Sequence, residues 1–151
     1  MMAEQVMGFI EGLIEKTKNG RLEWFPFSLC EDRSSILDEL YSDENNYIDW
    51  GVNSIRISSS YYLKHNDGYV FLFEIYHGDP DVTSPMMDTI GLMVKIHSFL
   101  PINNLSNYSA SEQEQLEELK LLIDNSFSEK YSYPDVLYDF MTQVLSSKKG
   151  E

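Results

Sequence analysis

The chain has 151 residues and a mass of 17.5 kDa, with 42% apolar and 13% aromatic residues and 25 carboxylates against 11 Lys and Arg, a formal net charge of −14. That length predicts one domain over 1–151 with a core that needs no staples, and the aromatic content argues against disorder. The charge opposes direct binding to nucleic acid or an anionic membrane, and a single cysteine, Cys30, excludes an internal disulfide framework.

The first element is predicted to be a helix, because Val6, Phe9, Ile10, Leu13 and Ile14 make one apolar stripe. Lys16 and Lys18 complement its negative end, and Asn19-Gly20 supplies a left-handed cap. Glu11 and Glu15 interrupt the apolar residues and no basic leader precedes them, so neither a signal peptide nor a spanning helix is expected there. With no apolar run of about 18 residues elsewhere, the expected setting is a reducing cytoplasm. The sequons at 104–106 and 107–109 then have no route to glycosylation. Residues 21–25 alternate polar and apolar and predict a short strand ended by Pro26.

A variable acidic segment follows at about 28–50, where seven carboxylates face one cation, Arg33. Ser34-Ser35 is placed to cap a short helix through Ile36, Leu37, Leu40 and Tyr41, and residues 43–46 suggest an exposed loop.

Residues 54–77 carry the clearest sheet signal. Ile55, Ile57, Ser59, Tyr61 and Leu63 alternate with Arg56, Ser58, Ser60, Tyr62 and Lys64, and residues 69–77 form the return strand. A two-residue Asp67-Gly68 turn would pair Leu63 with Leu72. A three-residue Asn66-Asp67-Gly68 loop with Gly68 left-handed pairs Leu63 with Phe71 and Tyr61 with Phe73. The second is expected, because it groups the apolar residues and leaves Glu74 on a polar face. A third strand places Ile90, Leu92, Val94 and Ile96 opposite Thr89, Met93, Lys95 and His97, and 101–108 reads as a polar connection.

The C-terminal third is predicted to be helical. Ser111 with Glu114 forms a capping box, and Leu116, Leu119, Leu122 and Ile123 form the stripe. Pro134 opens a last helix that packs Leu137, Phe140, Met141, Val144 and Leu145. Strands in the middle and helices at the ends favour an α+β fold. The expected form is an antiparallel sheet of three to four strands, with the N-terminal helix and two C-terminal helices on one face.

The opening Phe9-x3-Leu13-Ile14-x-Lys16-Thr17-x2-Gly20-x-Leu22-x-Trp24 resembles the start of a group of small uncharacterised bacterial α+β proteins. Their later parts share a tyrosine-rich strand, a Gly-turned hairpin and a Leu-rich helix before a short final one. The resemblance covers most of the chain outside 28–50. It implies a bacterial origin and a small α+β domain, and it brings no activity.

Signals for chemistry are sparse. His65, His77 and His97 share no helix face, and the cluster His77, Asp79 and Asp81 is also ordinary turn chemistry, so no metal site is expected. Cys30 sits beside Glu31 and Asp32, which disfavours a thiolate, and Ser58-Ser59-Ser60 lacks a nucleophile elbow. The eight glycines make no phosphate-binding loop, so neither a nucleotide nor another cofactor is expected.

The leading expectation is a non-enzymatic binding protein for a partner with a basic surface: an immunity-like inhibitor, an antirestriction-type acidic mimic or an adaptor. The chain itself would be a monomer, or a homodimer through its aromatic strand face. The candidate surface comprises Asp38, Glu39, Asp43, Glu44, Tyr47, Trp50, Arg56, Tyr62, Glu74 and Tyr76, where carboxylates steer association and aromatic rings supply contact area. The alternative is a small-ligand binder or enzyme that uses the polar sheet face or the His77–Asp81 loop.

Overall fold

The computed structural model describes residues 3–42, 53–77, 88–130 and 133–146. Helix α1 (Ala3–Lys18) leads into strand β1 (Phe25–Pro26), a 3-10 turn (Phe27–Leu29) and helix α2 (Arg33–Ser42). Then come β2 (Asn53–Ile55), a second 3-10 turn (Ile57–Ser59), β3 (Tyr61–His65), β4 (Gly68–His77), β5 (Thr89–Lys95) and β6 (Ile102–Asn104). Helices α3 (Ala110–Lys130) and α4 (Tyr133–Ser146) follow. The class is α+β, built on an antiparallel sheet ordered β1-β3-β4-β5-β6, with β2 on the far half of β4 beyond β3. No described helix is long and apolar enough to cross a membrane.

The sequence motif at the end of α1 is a set of local bonds. Gly20 takes φ +70°, the Gly20 amide donates to the Thr17 carbonyl at 3.2 Å, and the Arg21 amide donates to the Lys16 carbonyl at 2.9 Å. This is the doubled bond of a Schellman cap. The chain then turns back so that buried Trp24 donates its indole N–H to the Thr17 hydroxyl at 3.0 Å. Thr17, Gly20 and Trp24 thus serve one cap and one anchor in this chain.

Both faces of the sheet are covered. Leu63, Leu72, Ile90 and Leu92 pack with Val6, Ile10, Leu13 and Ile14 of α1 and with Leu116, Leu119 and Ile123 of α3. On the other side Tyr69, Phe71, Phe73, Ile75 and Met93 pack with Phe27 and with Ile36 and Leu40 of α2. Phe27 meets the Phe73 ring edge-on at 5.0 Å and 84°, a favoured aromatic geometry. The expected polar outer face does not form. The signal lies in the unbroken run Tyr69 to Phe73, since a strand apolar at consecutive positions is buried on both sides.

Two strand expectations are corrected. The predicted strand 54–64 is two strands with a break. The six-residue step from Ile55 to Tyr61 faces a three-residue step from Ile75 to Leu72, and the surplus forms the turn Ile57–Ser59. Ser60 fills the gap in the ladder: its hydroxyl donates to the Arg56 carbonyl at 2.8 Å and accepts the Glu74 amide at 3.0 Å. The hairpin takes neither register considered. Leu63 faces Val70 and Tyr61 faces Leu72, leaving Asn66 and Asp67 as the turn. Asn66 has φ +53°, a conformation Asn tolerates, and Gly68 is not left-handed. Gly68 is needed for closeness instead, because a Cβ there would meet the carbonyl oxygens of Lys95 and Ile96 at 2.5 Å.

Smaller shifts follow from side-chain bonds. Helix α2 begins at Arg33, ahead of the predicted serine cap, with the Ser35 hydroxyl donating back to the Asp32 carbonyl at 3.0 Å. The cap of α3 is Ser109 with Glu112, two residues before the predicted pair, and the Glu112 side chain reaches past Ser109 to the Asn107 amide. Ser109 accepts the Glu112 amide at 3.3 Å, and the buried Glu112 carboxylate accepts the Asn107 amide at 3.1 Å. Both pairs have the right spacing, and the one that buries Glu112 prevails. Residues 101–108 include β6. Helix α4 forms as predicted, but its stripe does not pack: Leu137, Phe140, Met141, Val144 and Leu145 are 45–86% exposed.

Candidate interaction surface

The polar residues nearest the core serve as ties between elements. The Tyr69 hydroxyl donates to Asp32 at 2.6 Å, joining β4 to the entrance of α2. The Tyr61 hydroxyl donates to Asp124 of α3, and Lys120 bonds the other oxygen of that carboxylate at 3.1 Å. Burial, then these bonds to carboxylates, pushes both phenols well above the usual tyrosine range. Glu39 holds Lys95 at 2.7 Å through one oxygen and the Ile102 amide at 2.5 Å through the other, so α2 is clamped to β5 and β6. A cavity of about 200 Å³ opens between Asp32, Lys64, Asp67, Tyr69 and Lys95. Asp32 and Tyr69 bond each other there, Asp67 pairs with His97 at 3.1 Å, and Lys95 also donates to the Leu100 carbonyl at 2.7 Å. Cys30 is buried nearby, and desolvation raises its thiol pKa, which makes it a poor nucleophile.

The structure divides the predicted surface residues. Arg56 and Tyr76 come together with Asp88: the guanidinium reaches Asp88 at 2.6 Å and lies 4.7 Å from the centre of the Tyr76 ring. Glu74 joins them through its carbonyl, which accepts the Arg56 amide at 2.8 Å. Tyr62 lies across the sheet, 5.8 Å from the Phe25 ring and 5.9 Å from the Tyr69 ring. Asp38 is exposed on α2, whereas Glu39, on the same helix, is the clamp just described. Asp43, Glu44, Tyr47, Trp50 and the loop from Gly78 to Asp81 lie outside the described residues. Among the described residues, no three His, Cys, Asp or Glu side chains converge as metal ligands would.

Three surface features go beyond the sequence reading. First, α1 and α3 pack side by side and turn Glu4, Glu11, Glu15, Glu114, Glu117 and Glu118 to solvent, with Lys18 bridging to Glu118 at 3.4 Å. Helix-period charge opposite each apolar stripe was the available signal. Second, an apolar groove runs between α1 and the β3–β4 hairpin, made of adjoining cavities of about 540 and 420 Å³ that share Phe9, His65 and Val70. No local pattern announces it, since it depends on how far α1 stands from the sheet. Third, the stripe of α4 faces solvent. No protein-family model matches the chain, and neither a curated protein nor a solved structure shows significant similarity to it.

Proposed function

We propose that the chain is a non-catalytic binding protein whose acidic surface recognises a protein partner with a basic one, in the manner of an inhibitor, immunity protein or adaptor. A bacterial, cytoplasmic setting belongs to the same proposal. The observation that carries it is the exposure of the carboxylates on α1, α2 and α3: Glu31 and Asp38 on the α2 side, and six glutamates on the α1–α3 side. Carboxylates placed this densely repel one another and mildly destabilise a compact state, so a complementary partner relieves a cost the fold carries alone. The bonding in the small cavity also favours this reading, because Asp32, Tyr69 and Lys95 hold elements together there.

The test spares Glu39, whose loss would unclamp α2. Glu31→Gln, Asp38→Asn, Asp43→Asn and Glu44→Gln are combined with Glu4→Gln, Glu11→Gln, Glu15→Gln, Glu114→Gln, Glu117→Gln and Glu118→Gln, and the variant and wild type are used to capture proteins from a native bacterial lysate, with identification by mass spectrometry. The expected result is enrichment of basic proteins by wild type, weakened at high salt and reduced at least about tenfold by the variant. Equal capture by both chains across the salt range contradicts the proposal.

A further inference from the structure

We infer that the chain forms a reciprocal dimer in which α4 of each copy lies in the apolar groove of the other. The donor is defined by its pattern. Leu137, Phe140, Met141, Val144 and Leu145 recur at helical spacing on a 14-residue helix and are 45–86% exposed, whereas Val6, Ile10, Leu13 and Ile14 of α1 are at most 8% exposed. A helix of this length is marginal in water alone, so its order depends on covering that stripe.

The acceptor is defined by its shape. The groove is lined by Phe9, Leu13, Leu63, Val70, Val94 and Ile96. On its α1 side, Gly8 and Gly12 stand one turn apart, and a Cβ at either would meet nothing within 4 Å. Two glycines there lower the ridge of α1 and leave room for a helix to approach, as ridges-into-grooves packing requires. Charge agrees with the match at one edge: exposed Lys16 of α1 lines the groove, and α4 carries Asp139 beside its stripe.

A second copy is the occupant that fits best. Each chain displays one uncovered helix and one open groove, and exchange between two copies covers both and closes with two-fold symmetry. A foreign helix in the groove would leave α4 bare. Exchange also counts the contact twice, which a helix this short needs if it is to approach the roughly 1,200–2,000 Å² typical of stable interfaces.

The test uses sedimentation of the full-length chain at concentrations up to about 100 µM, with two variants chosen to leave the fold intact. Phe140→Asp disables the exposed donor. Gly12→Leu fills the acceptor at a position where a side chain meets open space. Wild type should sediment as a dimer of two 17.5 kDa chains. Each variant alone should be monomeric, with the dissociation constant raised at least about a hundredfold, as for loss of a central anchor. Mixing the two should bring back association weaker than that of wild type, because one of the two helix–groove contacts remains intact. A monomeric wild type, whether α4 covers its own groove or awaits another protein, overturns the inference. So does a dimer that survives both substitutions, or a mixture that associates no better than either variant alone.

Discussion

Ser60 shows how one hydroxyl can decide a local path. It is 1% exposed, and it stands in for the strand that the turn at Ile57–Ser59 interrupts. Its carbonyl also accepts the Phe27 amide at 2.8 Å, which seats the ring that covers the second sheet face. Ser60→Ala keeps that backbone bond and removes the two hydroxyl bonds, stranding the Glu74 amide. The expected cost is about 1–3 kcal/mol, read as a lower urea midpoint with an unchanged slope. A midpoint equal to wild type would mean that the ladder closes without the hydroxyl. The sequence displays Ser60 as one of three consecutive serines, so period-2 alternation made it an outward strand residue. What that reading lacked was the length mismatch with β4, which becomes visible only after the hairpin register is known. Gly68 carries the same lesson, being required by the approach of another backbone and not by its own φ.

At the scale of elements, helices were legible where an apolar stripe met a cap, as in α1 and α3. Their boundaries shifted where two caps competed. Strands were legible by composition, while their pairing was not, because turn residues at 66–68 permit several registers. The edge of β5 is completed by side chains that no strand pattern reveals. Gln113 of α3 accepts the Ile90 amide at 2.8 Å and donates to the Ile90 carbonyl at 2.7 Å, and Ser106 accepts the Leu92 amide at 2.6 Å. These bonds satisfy an edge that would otherwise invite another strand. The tyrosine ties yield a pH prediction. Tyr61 and Tyr69 stay protonated in the folded chain above the pH near 10 where unfolded tyrosine ionises. Above that pH the unfolded state holds fewer protons than the folded one, so stability falls as pH rises, and it is fully present below it. Denaturation midpoints should decline from about pH 10 upward, and Tyr61→Phe with Tyr69→Phe should flatten the decline by up to one proton per site. An equally steep decline in the double variant would show that these phenols ionise in the folded state with the others.

For the whole molecule, the α+β class and the terminal helices followed from element order, as did the antiparallel sheet. The number of covered faces did not, because α2 sits in the ambiguous acidic segment and its role as a lid appears only in three dimensions. The same segment shows why composition overstated the candidate surface. Glu39 and Asp32 belong to the carboxylate cluster by sequence, yet each is engaged by a specific side chain, while Glu31 and Asp38 face solvent. Charge count predicts the sign of a surface; only placement tells which charges are available to a partner. The central claim is that these available carboxylates direct association. Its most direct measurement is the association rate constant between the chain and a basic partner it captures, at about 50 and about 500 mM salt, for wild type and for the variant with the exposed carboxylates of α1, α2 and α3 neutralised. Electrostatic steering speeds encounter and is screened by salt, so the wild-type rate should fall at least about tenfold while the variant's rate is already low and nearly flat. Rates that are equal for the two chains and insensitive to salt would contradict it.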